Sequence, residues 1–156
     1  MARRVSHVLD TDYKLENYGY GEWVEEPDLI LFNYKQIKCR IVRDINFGFL
    51  GGYIQIPKDH PWILTGKYNL NFIDSRIDYK LKYLEKEEDK EFWIGFYCDS
   101  DYDYKPKSEY KGLIYKNLIK NANISTYKNI KYVERQCEVL VNDMLKNCKE
   151  SQLIAT

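Results

Sequence analysis

Three aspartates at alternate positions, Asp99, Asp101 and Asp103 in "CDSDYDY", begin like a calcium-binding loop, whose carboxylate oxygens must converge on one cation. In that frame the sixth position is Tyr104 and the twelfth is Tyr110, where such a loop needs Gly for its turn and Glu for its bidentate ligand. The EF-hand reading fails, leaving a loosely held divalent ion or a solvated turn. Histidine chemistry is restricted as well. Only His7 and His60 are present, so one chain cannot assemble a His-rich metal centre or the paired H-x-T/S motifs of a phosphoesterase. His60, in "DHPW", is placed to act as a base or to hydrogen-bond a ligand, with Trp62 adjacent for stacking; anchoring its own loop is the alternative. Glu25, Glu26 and Asp28 in "EEPD" are of acid/base type, but nothing in the spacing pairs them. No G-x-S-x-G, P-loop or G-x-G-x-x-G occurs. The chain therefore presents no catalytic set, no metal set and no cofactor motif.

The stronger signal is for recognition. In "EFWIGFYC", Phe92, Ile94, Phe96 and Cys98 alternate with Trp93, Gly95 and Tyr97. A half-buried strand alternates apolar with polar, so an aromatic second face interrupted by glycine needs a reason. If Tyr83 pairs with Phe92 across a hairpin, Ile77, Tyr79, Leu81 and Tyr83 join the first face as core. The second face then sets Lys82 beside Trp93, Lys80 beside Gly95, Asp78 beside Tyr97 and Arg76 beside Asp99. Gly95 would leave a floor without a side chain between two aromatic walls, and a planar anion would suit it, with rings on Trp or Tyr and phosphates on Lys and Arg. The alternative is that this face is covered by the N-terminal segment or by a subunit partner, with Gly95 allowing close approach.

The elements that must position these residues are read from periodicity. Segment 1–27 has no sustained period. Strands are expected at 37–45, where Ile37, Cys39 and Ile41 alternate with Lys38, Arg40 and Val42, and at 52–57, 69–74 and 76–84, with 91–98 as the returning hairpin arm. Residues 58–62 read as a loop, because Pro61 holds His60 extended. The charged run 85–91 reads as a hairpin tip, and 105–125 as a loop or a short helix around "LIYKNLIK". From about residue 126 the period becomes 3.6: Ile130, Val133, Cys137, Leu140, Val141, Met144 and Cys148 form one stripe of a helix over 126–149. Strands first and a long amphipathic helix last predict an α+β fold in one domain: an antiparallel sheet (mainly 28–104) packed against the C-terminal helix.

Composition sets the outer limits. A chain of 156 residues suits one domain. Lys+Arg and Asp+Glu balance at 24 each, which removes the long-range attraction used by non-specific nucleic-acid binders. No apolar run approaches the ~20 residues of a membrane span, and the two arginines of "MARRV" precede no signal-peptide core; a cytoplasmic location is expected. Cys39, Cys98, Cys137 and Cys148 lie far apart without a C-x-x-C pair, and read as small buried apolar groups. Tyrosine occurs fifteen times against three alanines; the residue suits interfaces and stacking surfaces, and an AT-rich codon bias also raises it.

Several of these residues together carry a resemblance. "WVEEPD" (23–28), Cys39 and Arg43, "GGYIQIPKDHPW" (51–62), "FWIGFYCDSDYDYKP" (92–106) and "TYKNIKYVERQCEVLVNDML" (126–145) fall in the order of a widespread family of small phage and prophage proteins. That family looks like W-x-x-E-P-D, C-x-x-x-R, G-Y-V-x-x-P-x-G-H-P, H-G-G-L-T-Y, W-W-x-G-F-D-C-A-H-x-x-D and Y-V-x-x-E. Trp23, Glu26, Pro27, Asp28, Gly52, Tyr53, Pro57, His60, Pro61, Trp93, Gly95, Phe96, Cys98 and Asp103 match. Two of the family's histidines are replaced here, by Asp74 and Ser100, which favours binding without turnover. The resemblance implies a phage origin, hence a host cytosol. The expectation is an anti-defence protein that sequesters a nucleotide-derived immune signal as a homo-oligomeric sponge. Trp93, Tyr97 and Trp62 would stack on the base over Gly95, Arg76, Lys80 and Arg43 would meet phosphates, and His60 and Asp103 would make polar contacts. A protein–protein inhibitor or phage structural component, and a hydrolase built on His60, Asp74 and Asp103, are the rival expectations.

Overall fold

The computed structural model describes residues 3–64, 73, 75–86, 91–107 and 126–155. It is an α+β fold in which an antiparallel sheet carries the C-terminal helix on one face. In chain order the elements are β1 (Arg3–Ser6), α1 (Thr11–Tyr18), a 3-10 turn (Glu22–Val24), β2 (Leu29–Tyr34), β3 (Ile37–Arg43), β4 (Leu50–Pro57), α2 (Pro61–Leu64), β5 (Tyr83–Lys86), β6 (Glu91–Tyr97) and α3 (Ile130–Ala155). Among the described residues the sheet has six strands in the order β1-β2-β3-β4-β6-β5, so the hairpin formed by β5 and β6 joins the sheet through β6 alongside β4.

The helix forms where the 3.6 period begins. Asn129 caps it, its side-chain oxygen accepting from the Tyr132 amide at 3.0 Å, and the Glu26 carboxylate accepts from the Ile130 amide at 3.1 Å. Both satisfy amide groups that a helix start leaves open. The stripe Val133, Cys137, Leu140, Val141 and Met144 is fully buried. It lies on Ile30 of β2, Cys39 and Ile41 of β3, Leu50, Ile54 and Ile56 of β4, and Phe92, Ile94 and Phe96 of β6. Each large side chain so buried contributes about 1.5–3 kcal/mol. Gly52 sits in this interface because a methyl group there would come within 2.7 Å of Cys137 Sγ and 2.6 Å of Phe96.

Several expected boundaries moved. Segment 1–27 contains β1 and α1, and β2 continues from it. Residues 58–62 are partly helical, since α2 starts at Pro61, a residue suited to a first helical turn. The hairpin register is not Tyr83 with Phe92: Tyr83 pairs with Gly95 and Lys86 with Phe92, so β5 begins only at Tyr83. Upstream, Ile77 and Tyr79 still reach the core without forming a strand, the Tyr79 ring stacking on Phe96 with centroids 5.5 Å apart. Of the strand expected at 69–74 only Ile73 is described, and it belongs to no strand; Asp74, the tip residues 87–90 and the loop or helix over 108–125 fall outside the described residues. Among the described residues no helix is long and apolar enough to cross a membrane.

Candidate functional site

The sheet face opposite the helix is built from three strands in register. Gly51, Tyr53 and Gln55 of β4 stand beside Tyr97, Gly95 and Trp93 of β6, while Arg40 and Val42 of β3 flank Tyr53 and Gly51. The space over Gly95 is filled. A methyl group on Gly95 would lie 2.3 Å from a Tyr53 ring carbon, so the Tyr53 ring occupies the floor that the glycine opens. Arg40 then lies across both neighbours, its guanidinium carbon 5.0 Å from the Tyr53 ring centre and 4.4 Å from that of Trp93. The cation on this face therefore comes from β3, and Trp93 is sealed beneath it. Its indole N–H is buried without a hydrogen-bond partner among the described residues.

One row further along the strands the face opens into a cavity of about 960 Å³. Val42 lies at its floor, next to Gly51, where a methyl group would stand 3.1 Å from the Tyr53 hydroxyl and 3.2 Å from the Tyr97 ring, and Phe47, Phe49, Tyr53 and Tyr97 line its sides. The rings meet steeply: Tyr53 and Tyr97 are inclined at 73°, Phe49 and Tyr97 at 63°. Burial, with the neighbouring Tyr97 hydroxyl, pushes the Tyr53 phenol above its ordinary range, so it stays neutral. Among the described residues, the charged side chains of the lining are those of Arg43, Asp44, Asp99, Asp101 and Lys105. The turn "DINFGF" shapes one wall: the Asp44 carboxylate accepts from the Phe47 amide at 2.9 Å, and Gly48, at φ 84°, lets the chain reverse.

The remaining residues singled out from the sequence are dispersed. Tyr97 borders the cavity. Arg43 also borders it, but its guanidinium is turned inward and wholly buried. That group donates to Asp28 at 2.8 Å, to the Gly48 carbonyl at 2.9 Å and to the Tyr127 hydroxyl at 2.9 Å, and pairs with Glu26 at 3.2 Å. Lys14 closes the same network, 2.8 Å from Asp28. Burial alone would raise the Asp28 pKa; Lys14, the Leu9 amide and Arg43 outweigh it and hold the carboxyl below its ordinary value. Removing one partner of such a buried pair costs about 3–5 kcal/mol, so "EEPD" and Arg43 form a structural clamp on the N-terminal segment.

His60 is equally committed. Its Nε2–H donates to the Met144 carbonyl at 2.7 Å and its Nδ1 accepts from the Trp62 amide at 3.0 Å, so it ties α2 to α3 on the helix side of the sheet. Trp62 is buried edge-on against it. Arg76 is exposed and ion-paired with Asp143 at 2.9 Å. Lys80 is exposed and outside the cavity lining. Asp103 is buried and saturated, accepting from the Tyr79 hydroxyl, from the Ser100 amide at 3.0 Å and from the Ser100 hydroxyl at 2.9 Å. Among the described residues no cluster of three or more His, Cys, Asp or Glu could hold a metal ion.

The cavity's other walls were not anticipated. Tyr53 and Gly51 become visible only once β4 is paired with β6, and Phe47 and Phe49 lie between the strands expected at 37–45 and 52–57. The available signal was the alternation Gly51, Tyr53, Gln55, which puts an aromatic on the same face as Trp93. No family model, curated protein or solved structure matches this chain.

Proposed function

We propose that the chain binds and sequesters a small nucleotide-derived molecule by holding its planar ring in the aromatic cavity, without chemical turnover. The observation that carries this is the cavity itself. Its volume of about 960 Å³ lies at the upper end of small-molecule sites, and Phe47, Phe49, Tyr53 and Tyr97 give it the aromatic lining common in them. In the phage setting implied by the resemblance over 23–145, holding the ligand would withdraw a host defence signal. Ring recognition supports the reading better than phosphate recognition does, since Arg43 and Arg76 are engaged with carboxylates. A hydrolase finds less support, because His60 and Asp103 are spent on internal hydrogen bonds on the other side of the sheet.

The test is mass spectrometry of small molecules released by denaturing the protein purified from a defence-activated host. An intact, near-stoichiometric compound is expected from the native chain, and its loss from a Tyr97→Ala, Val42→Trp variant in which one wall is removed and the floor filled. A cleaved product, or a compound retained equally by that variant, would overturn the assignment.

A further inference from the structure

The chemistry of the cavity lining specifies the charge of its occupant. Tyr97 and Phe49 line this space with rings whose π faces are negative by their quadrupoles, while the Tyr53 ring beside them already carries the Arg40 guanidinium at 5.0 Å. Among the described residues, three carboxylates, Asp44, Asp99 and Asp101, share the lining with the ammonium of Lys105. That ammonium is held by the Ser100 carbonyl at 2.8 Å. The other cation of the lining, Arg43, presents no exposed side-chain surface and is neutralised by Asp28 and Glu26. Asp99 is shared with the exposed Lys82 at 3.2 Å, a pair that salt and water screen. Asp101 is exposed. An anionic ligand would meet ring faces and carboxylates of its own sign, whereas a cation would be attracted by both.

We propose that the cavity selects a planar organic cation, a positively charged nitrogen heteroaromatic ring, over neutral or anionic rings of the same shape. This rests on the sequestration reading given above and narrows it: the part of the ligand gripped is a charged base, and phosphates stay outside the aromatic walls.

The test uses three probes that share a pyridine ring and differ in charge, 1-methylnicotinamide (cation), nicotinamide (neutral) and nicotinate (anion). Each is titrated into the ¹⁵N-labelled full chain at low salt while the amide resonances of Gly51 and Tyr97 are followed. The cation is expected to bind about tenfold more tightly than the neutral ring, and the anion most weakly, the preference shrinking as salt is raised. Asp101→Asn should weaken the cation about threefold, the scale of one exposed charge near 7 Å in water, and leave nicotinamide unchanged. Equal affinities, or nicotinate binding tightest, would overturn the charge selection while leaving the cavity a binding site. Failure of all three to move these resonances would overturn the charge selection, and would overturn both readings if no intact compound is released in the mass-spectrometry test either.

Discussion

His60 shows how a residue of catalytic type can be spent on architecture. As a neutral ring it satisfies one donor and one acceptor at once, giving its Nε2–H to the Met144 carbonyl and receiving the Trp62 amide at Nδ1. A second proton would have to sit on Nδ1, facing the Trp62 N–H. Burial lowers the pKa of His60 below 6.5 and outweighs the Met144 carbonyl and Asp59, which favour the charged ring. The sign of the linkage follows: the contribution is fully present above pH 6.5 and is lost as pH falls from there towards the lowered folded value. Asp28 and Asp143, whose folded pKa values are also lowered, give up their contributions only below their ordinary 3.8, so the two windows separate. Urea unfolding between pH 7 and 5 is expected to show stability falling with acid. In His60→Gln that slope should flatten, with about 1–3 kcal/mol lost at pH 7 from the unsatisfied partners. An unchanged slope in the variant would show that His60 does not titrate with unfolding.

At the scale of elements, α3 and β6 were legible because each has one dominant period and a buried face that matches it. β2 was not, and its turn explains why. Lys35 and Gln36 join β2 to β3 with positive φ angles of 50° and 67°, the conformation of a two-residue hairpin turn that favours Asn-Gly. Neither residue advertises it. For L-residues that conformation costs about 1–2 kcal/mol each, which the paired strands offset. Gln36→Gly is therefore expected to stabilise the chain by up to about 1 kcal/mol in chemical denaturation; destabilisation would mean that the glutamine makes a compensating contact. The register of β5 was illegible for a related reason. A charged tip of uncertain length fixes no pairing, and a shift of three residues changes which side chains share a face. The candidate slot over Gly95 was misjudged for a second reason. Its filler, Tyr53, arrives from β4, a strand whose adjacency to β6 depends on long-range topology that no local pattern encodes.

For the whole molecule, the expectation of a homo-oligomer began from an aromatic sheet face too apolar to stay wet. The fold changes that premise. Trp93 is only 6% exposed and Tyr53 9% within a single chain, each covered in part by Arg40. The sheet edges give little encouragement either. β1 and β5 are four residues long, and β1 carries Arg3 and Arg4, a short charged edge of the kind that resists strand-to-strand addition. Among the described residues, the large apolar side chains left exposed, Val5, Val8, Tyr20, Ile45, Leu64 and Tyr102, come from separate segments instead of one contiguous element. Light scattering at micromolar concentration is therefore expected to return one species near the chain mass of 18.8 kDa. A stable dimer would restore the shared-face expectation. Loss of that dimer on Ile45→Asp or Tyr102→Asp would then place the second copy at the cavity mouth, because those are the exposed apolar residues adjoining Asp44 and Asp101 of its lining.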